Sequence, residues 1–333
     1  MRFQTAVLPL LSSLAAAITP PNVNGMTLTW FDAFEGPAGS SPNTDTWNIM
    51  DAIDTNNEVE VYTHSSNNLQ ISGGGTVQFV PRKSSTGQWT SGRIESKASW
   101  TPQPGKVMMV SANILVGGNP ISSKQGMWPA FWLLGDAIRH GTEWPQCGEI
   151  DIFEQVNGLA TGHGTLHCGS SQGGPCQETT GRSGTVPMPL LGFHVWSVKI
   201  DLTNSDWRAQ TISFQMDGAT FYTVSGADLN DAPVWSTLAH SPLYMILNVA
   251  VGGDWPGAPN AATLDGSDLH TLWLESNMEN IARESVIFLG IAPMPHGPVA
   301  VDAAPGAAVG SGADPSSSPE PSPELRASLR NQT

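Results

Sequence analysis

Hydrophobic and polar residues alternate with a period of two through much of the chain. Residues 196–200 and 212–216 both show this alternation, which is typical of half-buried β-strands. The second run meets Asp217 and Gly218, a strong tight-turn pair, and is followed by a third run at 221–224. The pattern therefore predicts a β-hairpin.

Further short hydrophobic runs are separated by clusters of Gly, Pro, Asn and Ser, which are typical of turns. The chain has 35 Gly and 26 Pro, and only 13% of its residues are charged, which argues against long charged helices. We therefore predict an all-β fold, a sandwich of two antiparallel sheets. The additional predicted strands are 69–71, 77–80, 93–97, 107–115, 148–153 and 244–251.

The two ends of the chain differ from its middle. Arg2 precedes an apolar run that ends in three alanines at 15–17, so residues 1–17 are predicted to be a secretory signal peptide. The run is too short to span a bilayer. Residues 293–333 are rich in Pro, Ala, Ser and Gly and are predicted to be a disordered tail. This leaves one domain, 18–292, in a secreted, extracellular protein.

The charge balance excludes some partners. Lys and Arg number 14 and Asp and Glu number 29, for a net charge of −15, which repels nucleic acid and anionic membrane surfaces. We expect a monomer that binds neither. The chain has 12 Trp but only 3 Tyr. Flat apolar rings suit sugar-binding clefts, although core packing is the ordinary role of a single Trp.

Three cysteines leave one unpaired. Cys168 and Cys176 bracket a Gly-rich loop, and a disulfide between them would close it. Cys147 is then predicted to be a buried, unreactive thiol. The alternative is a metal site in which His163 and His167 join the two loop cysteines, but their spacing fits no standard zinc pattern.

The most informative segment is an acidic strand at 148–154. Side chains alternate along a strand, so Glu149 and Asp151 point one way while the isoleucines between them point into the core. In a regular strand Phe153, and not Glu154, would join the two acids. One extra residue near positions 152–153, a β-bulge, would return Glu154 to their side.

Three carboxyl groups on one face suit acid–base chemistry. Crowding by like charge raises the pKa of one carboxyl, while another that accepts hydrogen bonds stays ionised. Glycoside hydrolysis needs this contrast between an acid and a nucleophile or base. Two alternatives remain open at this point, a calcium site formed by the carboxylate oxygens and a solvated acidic surface.

Residues 144–154, WPQCGEIDIFE, resemble the active-site signature of glycoside hydrolase family 16, in its laminarinase or endo-1,3(4)-β-glucanase branch. The resemblance covers roughly residues 25 to 265, and the cysteine loop is similar to that of secreted fungal members. Other segments that resemble the family, in the family's order, are NNE at 56–58, SGRIES at 91–96, GMWPAFWLLG at 126–135, GTLH at 164–167 and LNVAVGG at 247–253.

The resemblance implies a concanavalin-like β-jelly roll with a concave substrate cleft, and a secreted retaining endo-β-glucanase that cuts β-1,3 or mixed β-1,3/1,4 glucans without a cofactor. Matched by position, Glu149 is the nucleophile, Glu154 the general acid/base and Asp151 the carboxyl that holds the nucleophile. The alternatives are a non-catalytic β-glucan-binding protein on the same fold, or a transglycosylase.

Four tryptophans are candidate substrate contacts. Trp144 precedes the acidic strand and Trp255 follows a strand, so each can place its ring at the rim of the cleft. Trp128 and Trp132 are four residues apart and share one face of a strand. For the last two, the alternative is core packing, and for Trp255 it is a loop anchor.

Three polar residues complete the predicted site. Arg93 is expected to hydrogen-bond sugar hydroxyls, or otherwise to form an ion pair with Glu95 or Glu58. Asn57 offers both a donor and an acceptor, or serves a turn. His167 is expected to contact the substrate or the acid/base glutamate, or otherwise to be a core histidine.

The chain departs from the family after about residue 265. Family members close the fold with a final strand that this sequence lacks. Residues 269–281 show a partly helical pattern instead, and residues 286–291 are the candidate replacement. Without a replacement, the strand near 28–34 would leave an unpaired edge.

Overall fold

The computed structural model describes residue 23, residues 25–53, 55–170 and 172–266, and the backbone of 269–278. These belong to one of the two units into which the chain divides, Met1–Ala292. The predicted signal peptide, the tail at 293–333 and the candidate strand at 286–291 lie outside the described residues.

The described part of the chain is built almost entirely from strands, with two short α-helices, α1 Gly226–Leu229 and α2 Ala232–Ala239, and three 3₁₀ turns, Ile121–Ser123, Asp136–His140 and Trp207–Ala209. The described residues contain no helix long and apolar enough to cross a membrane. The strands are β1 Leu28–Asp32, β2 Trp47–Ile49, β3 Glu60–Tyr62, β4 Leu69–Ile71, β5 Val77–Phe79, β6 Arg82–Lys83, β7 Trp89–Ser91, β8 Arg93–Ser96, β9 Val107–Val116, β10 Met127–Gly135, β11 Glu149–Glu154, β12 Thr161–His167, β13 Arg182–Pro187, β14 His194–Asp201, β15 Thr211–Met216, β16 Ala219–Ser225, β17 Leu243–Val251 and β18 Leu269–Met278.

Two antiparallel sheets form the sandwich, as the sequence predicts. Among the described residues, one sheet has the order β16-β15-β14-β9-β18-β5-β4, with β1 also paired to β18, and the other has the order β13-β12-β11-β10-β17-β8-β2. A small third sheet, β3-β7-β6, includes one parallel pair, β3 with β7. The predicted strands are confirmed, and the one at 69–71 has the predicted bounds.

The predicted hairpin joins β15 to β16. Asp217 and Gly218 have φ angles of 50° and 79°, the two positive values that a type I′ turn requires. This turn matches the right-handed twist of the strands on either side, and it explains why the Asp-Gly pair is such a clear signal in the sequence.

One continuous core lies between the two large sheets. Its packing depends on Gly162 and Gly164 of β12, since a Cβ added at these positions would lie 2.1 Å from the Trp196 ring and 2.6 Å from the Phe214 ring. The glycines therefore allow two large aromatic rings of the opposite sheet to pack directly against the backbone of β12.

The prediction for residues 269–281 is wrong where the structure describes them. Residues 269–278 form β18, which pairs with β9 and β5 and also with β1. The final strand that was predicted to be missing is therefore present, and β1 has its partner. The local periodicity gave a wrong prediction of secondary structure here, because pairing with three strands that are distant in sequence decides the conformation.

Candidate active site

The acidic strand β11 carries the predicted bulge. Phe131 of β10 pairs with Phe153, and Trp132 pairs with Asp151, which leaves Ile152 as the extra residue. Ile150, Ile152 and Phe153 are all fully buried in the core. The bulge thus turns Phe153 inward and brings Glu154 to the face that carries the two preceding acids.

Strand register then sets the neighbours of the three acids. Glu149 lies opposite His167, Asp151 opposite Thr165, and Glu154 opposite His163 across β11 and β12. Three carboxyl groups and two imidazoles therefore share the face of the sheet that points away from the core.

Indole N–H groups donate to the two glutamates. The Trp128 Nε1 donates to Glu154 Oε1 at 2.8 Å, and the Trp144 side chain donates to Glu149. Carboxylate oxygens that already accept such bonds fit an acid pair better than a calcium ion, which takes six to eight oxygen ligands. Oxygen or nitrogen atoms of Glu149, Asp151 and His167 do lie within 4.8 Å of one another.

The environment raises the pKa of all three acids. Burial, together with the charge of Glu149, raises the pKa of Glu154 to about 7, although the Trp128 hydrogen bond and His167 act in the opposite direction. Burial and the charges of Glu154 and Glu149 raise the pKa of Asp151 well above its ordinary value. Burial also raises the pKa of Glu149, while His167 and the Trp144 hydrogen bond oppose this shift.

His167 does not contact Glu154 in the way that was expected. Its Nδ1 lies 2.7 Å from Glu178 Oε2, and its Nε2 lies 3.5 Å from Asp151 Oδ2. Burial lowers the pKa of His167, but the hydrogen bond to Glu178 and the charges of Glu149, Glu178 and Glu154 outweigh it and raise the pKa. The hydrogen bond to Glu154 is absent because register pairs Glu154 with His163, and a contact with the substrate stays a prediction.

Arg93 forms the ion pair that was the alternative in its prediction. Its Nη2 lies 2.7 Å from Glu95 Oε1, and both side chains are buried. The guanidinium also lies 4.9 Å from the centre of the Trp132 ring, while the Trp132 Nε1 donates to Asn248 Oδ1. Arg93 and Trp132 therefore form one side of the concave face, held by Glu95 and Asn248.

Two exposed indoles flank the acidic strand. Trp144 is 40% exposed, and its ring centre lies 5.5 Å from that of His167. Trp255 is 44% exposed, and its ring centre lies 5.5 Å from that of Trp128 and 4.9 Å from that of His163. One ring therefore lies beside His167, opposite Glu149, and the other beside His163, opposite Glu154, as rings that bind successive sugars along a cleft would.

Asn57 lies outside this cluster, in a turn. Its φ is 56°, and its Nδ2 donates to Asp254 Oδ1 at 2.8 Å. Because Asp254 directly precedes Trp255, the turn role given as the alternative also ties Asn57 to the loop that carries this exposed ring.

The predicted disulfide between Cys168 and Cys176 is present, so the metal interpretation of these cysteines is wrong. Cys147 is free and buried. Burial and the nearby Glu149 raise its pKa to about 12, which keeps it a thiol.

The chain matches the family described as "XgeA-like, catalytic GH16 domain" over residues 56–188. In structure it resembles an endo-1,3-β-glucanase from Streptomyces sioyaensis, at 34% identity and a TM-score of 0.75, over 78% of this chain and 99% of that one. The chain belongs to glycoside hydrolase family 16.

Two of the curated relatives of this chain are glucanases. The chain is 28% identical to glucan endo-1,3-β-glucosidase A1 of Niallia circulans, over 74% of this chain and 37% of that protein. It is 27% identical to the β-glucanase of Rhodothermus marinus, over 69% of this chain and 77% of that protein. The chain therefore spans little more than a third of the first relative and most of the second. Its similarity to these glucanases and to the Streptomyces structure puts it in the laminarinase branch of family 16.

Three residues of this family 16 site were not predicted as part of it. His163 alternates with Thr165 and His167 along β12, so the period-two pattern could have found it. Asn248 lies in the segment 247–253, which resembles the family, but no single residue of that segment was predicted to line the site. Glu178 follows the disulfide in an irregular loop, where no periodicity indicates which way a side chain points.

Proposed function

We propose that this chain is a secreted endo-β-glucanase that hydrolyses β-1,3 or mixed β-1,3/1,4 glucans with retention of anomeric configuration. The observation that carries the proposal is the bulge at Ile152, which puts Glu149 and Glu154 on one face with Asp151 between them. The resemblance to family 16 supplies the order of the roles.

In the first step, Glu154 donates a proton to the departing glycosidic oxygen as Glu149 attacks the anomeric carbon, which forms a glycosyl ester on Glu149. In the second step, Glu154 removes a proton from water, and the water oxygen displaces the ester. A pKa of about 7 for Glu154 suits a group that must both give and take a proton near neutral pH.

Asp151 is proposed to hold the nucleophile. It is buried and lies between the two glutamates, and its raised pKa favours the protonated form. A protonated Asp151 can donate a hydrogen bond to the Glu149 carboxylate without adding a third negative charge to the site. The protein would then keep Glu149 ready to attack while Glu154 carries the catalytic proton.

Charge and aromatic surface favour a neutral polysaccharide. The net charge of −15 disfavours sulfated or uronic acid chains. The exposed rings of Trp144 and Trp255 offer flat apolar faces to sugars on both sides of the cleaved bond. The disulfide, together with the predicted signal peptide, supports action outside the cell.

The test compares Glu149→Gln with a matched change at an exposed site, Glu143→Gln. Reducing-sugar release from laminarin and lichenan should fall by at least about 10³-fold in Glu149→Gln, because the amide cannot attack the anomeric carbon. Glu143→Gln should behave as wild type. Product lengths separate hydrolysis from transglycosylation, and glucan binding without any sugar release by the wild type would contradict the proposal.

A further inference from the structure

The segment 168–178, here named the cysteine loop, ends in a buried acid next to the active site. The disulfide joins Cys168 to Cys176, and two backbone hydrogen bonds of 2.7 Å join Gly173 to Glu178 in both directions. The backbone of Glu178 is therefore fixed both by the cross-link two residues before it and by the hydrogen bonds of a short bridge.

Both carboxyl oxygens of Glu178 have partners. Oε1 accepts from the backbone N–H of Cys168 at 2.7 Å, and Oε2 lies 2.7 Å from His167 Nδ1. The Glu178 side chain is only 2% exposed. With each oxygen engaged and almost no access to solvent, this carboxyl group is held with Oε2 pointing at the imidazole.

His167 is held in turn between Glu178 and the catalytic strand. A carboxylate at Nδ1 keeps the proton on that nitrogen, so Nε2 is left to face Asp151 Oδ2 at 3.5 Å. The backbone of Gly181 lies close to one side of the ring, since a Cβ added there would lie 2.8 Å from His167 Cε1, and the Trp144 ring centre lies 5.5 Å from that of His167.

We propose that Glu178 is a positioning residue of this active site. It holds a proton on His167 Nδ1 and orients the ring so that Nε2 faces Asp151, and the disulfide of the cysteine loop holds Glu178 in place. This inference deepens the proposed function and rests on it, because its kinetic consequences follow from the roles of Glu149 and Glu154.

The charged groups around His167 give the direction of the effect. Glu149, Asp151 and Glu154 face it from β11, and Glu178 faces it from the cysteine loop, while Arg93 acts on Glu149 from across the sheet. His167 lowers the pKa of Glu154. If Glu178 is replaced by a neutral side chain, His167 loses the hydrogen bond that most favours its cationic form. The pKa of Glu154 then rises, because less positive charge lies near it.

The decisive variant is Glu178→Gln, which keeps the size of the side chain and leaves the disulfide intact. We expect kcat on laminarin to fall about tenfold with KM nearly unchanged, and the alkaline limb of the pH–rate profile to move to higher pH. Glu143→Gln, the same change on an exposed residue, should leave both unchanged. A wild-type kcat and pH profile in Glu178→Gln would overturn the inference.

A double-mutant cycle separates positioning from general loss of structure. In a His167→Asn background, Glu178→Gln should cost little more, because its effect passes through the missing imidazole. Independent, additive losses would overturn the inference. Replacing both loop cysteines by serine should lower kcat and move the alkaline limb in the same direction as Glu178→Gln, and an unchanged profile would overturn the role of the disulfide.

A readout without substrate distinguishes failure of this inference from failure of the proposed function. NMR titration of the His167 ring, assigned with His167→Asn, should give a lower pKa in Glu178→Gln than in the wild type. A lowered pKa in a protein that cleaves no glucan would support the contact and reject the proposed function. An unchanged pKa in an active enzyme would reject the positioning role alone.

Discussion

Two groups of buried carboxyls in this protein resemble each other electrostatically but differ in their surroundings. In strand β11, burial and Glu149 raise the pKa of Glu154 to about 7. In strand β3, burial and Glu58 raise the pKa of Glu60 to about 8. A raised carboxyl pKa is often taken to mark a catalytic acid, and here it occurs at two places.

The partners of Glu60 are structural. Its Oε2 accepts from the backbone N–H of Val251 at 2.7 Å, and its neighbour Glu58 accepts from the Tyr62 hydroxyl at 3.3 Å. Tyr62 in turn accepts from Asn248 Nδ2 at 3.1 Å. These bonds join the small third sheet to β17, so the acid pair supports one wall of the cleft.

Location separates the two groups more clearly than pKa or exposure does, since Glu154 and Glu60 are almost equally buried. Glu154 lies on the concave face, next to Trp128 and near the exposed ring of Trp255. Glu60 lies on β3 two residues before the buried Tyr62, and its Oε2 accepts from the backbone N–H of Val251 in β17. Under the proposed mechanism a proton on Glu154 passes to the bound sugar, whereas a proton on Glu60 lies at a contact between two sheets.

The largest expected difference between the two groups is in turnover. Glu154→Gln removes the proton that Glu154 is proposed to donate and should lower kcat on laminarin by about 10²- to 10⁴-fold. The loss should be smaller on an aryl β-glucoside whose leaving group needs no protonation. Glu60→Gln, the same change in the structural pair, should leave kcat within about twofold. Comparable losses in both variants would show that the pair at Glu60 takes part in the reaction.

The contrast between the two groups also indicates what the sequence can predict. The bulge was predictable because Ile150 and Ile152 fix the core face locally, which leaves Glu154 out of phase with the other acids. The partners of Glu60 were not, since Val251 lies 191 residues away. Glu178 and β18 escaped prediction for the same reason, because distant pairing and an irregular loop leave no periodic signal.

A smaller expected effect is a shift in pH dependence. Because Glu154 must be protonated to donate, wild-type activity should fall as pH rises through about 7. The Trp128 N–H favours the carboxylate form of Glu154 and lowers its pKa, so Trp128→Phe should move the alkaline limb to higher pH. The measurement is kcat/KM against pH on a soluble glucan.

The matched control for this shift is Trp132→Phe. It makes the same change of ring on the same strand, but the lost N–H donates to Asn248 and not to an acid. The alkaline limb of its pH–rate profile should stay at the wild-type position even if KM changes. Equal shifts in both variants would attribute the effect to altered packing of the cleft and not to the hydrogen bond at Glu154.

The smallest expected effect is on stability, at the structural pair. The pKa of Glu60 is raised from 4.5 to about 8 in the folded protein, so the folded state holds this proton more tightly than the unfolded chain. The associated stability is complete below about pH 4.5 and is lost as pH rises to about 8. Glu60→Gln cannot ionise and should escape this loss.

Thermal unfolding measured from pH 5 to 8.5 therefore tests the comparison directly. The melting temperature of Glu60→Gln should rise relative to that of the wild type as pH increases, by an amount equivalent to roughly 4 kcal/mol at pH 8. Glu143→Gln should follow the wild-type curve. Parallel curves for Glu60→Gln and the wild type would mean that Glu60 is ionised in the folded protein, and the likeness between the two buried groups would then be lost.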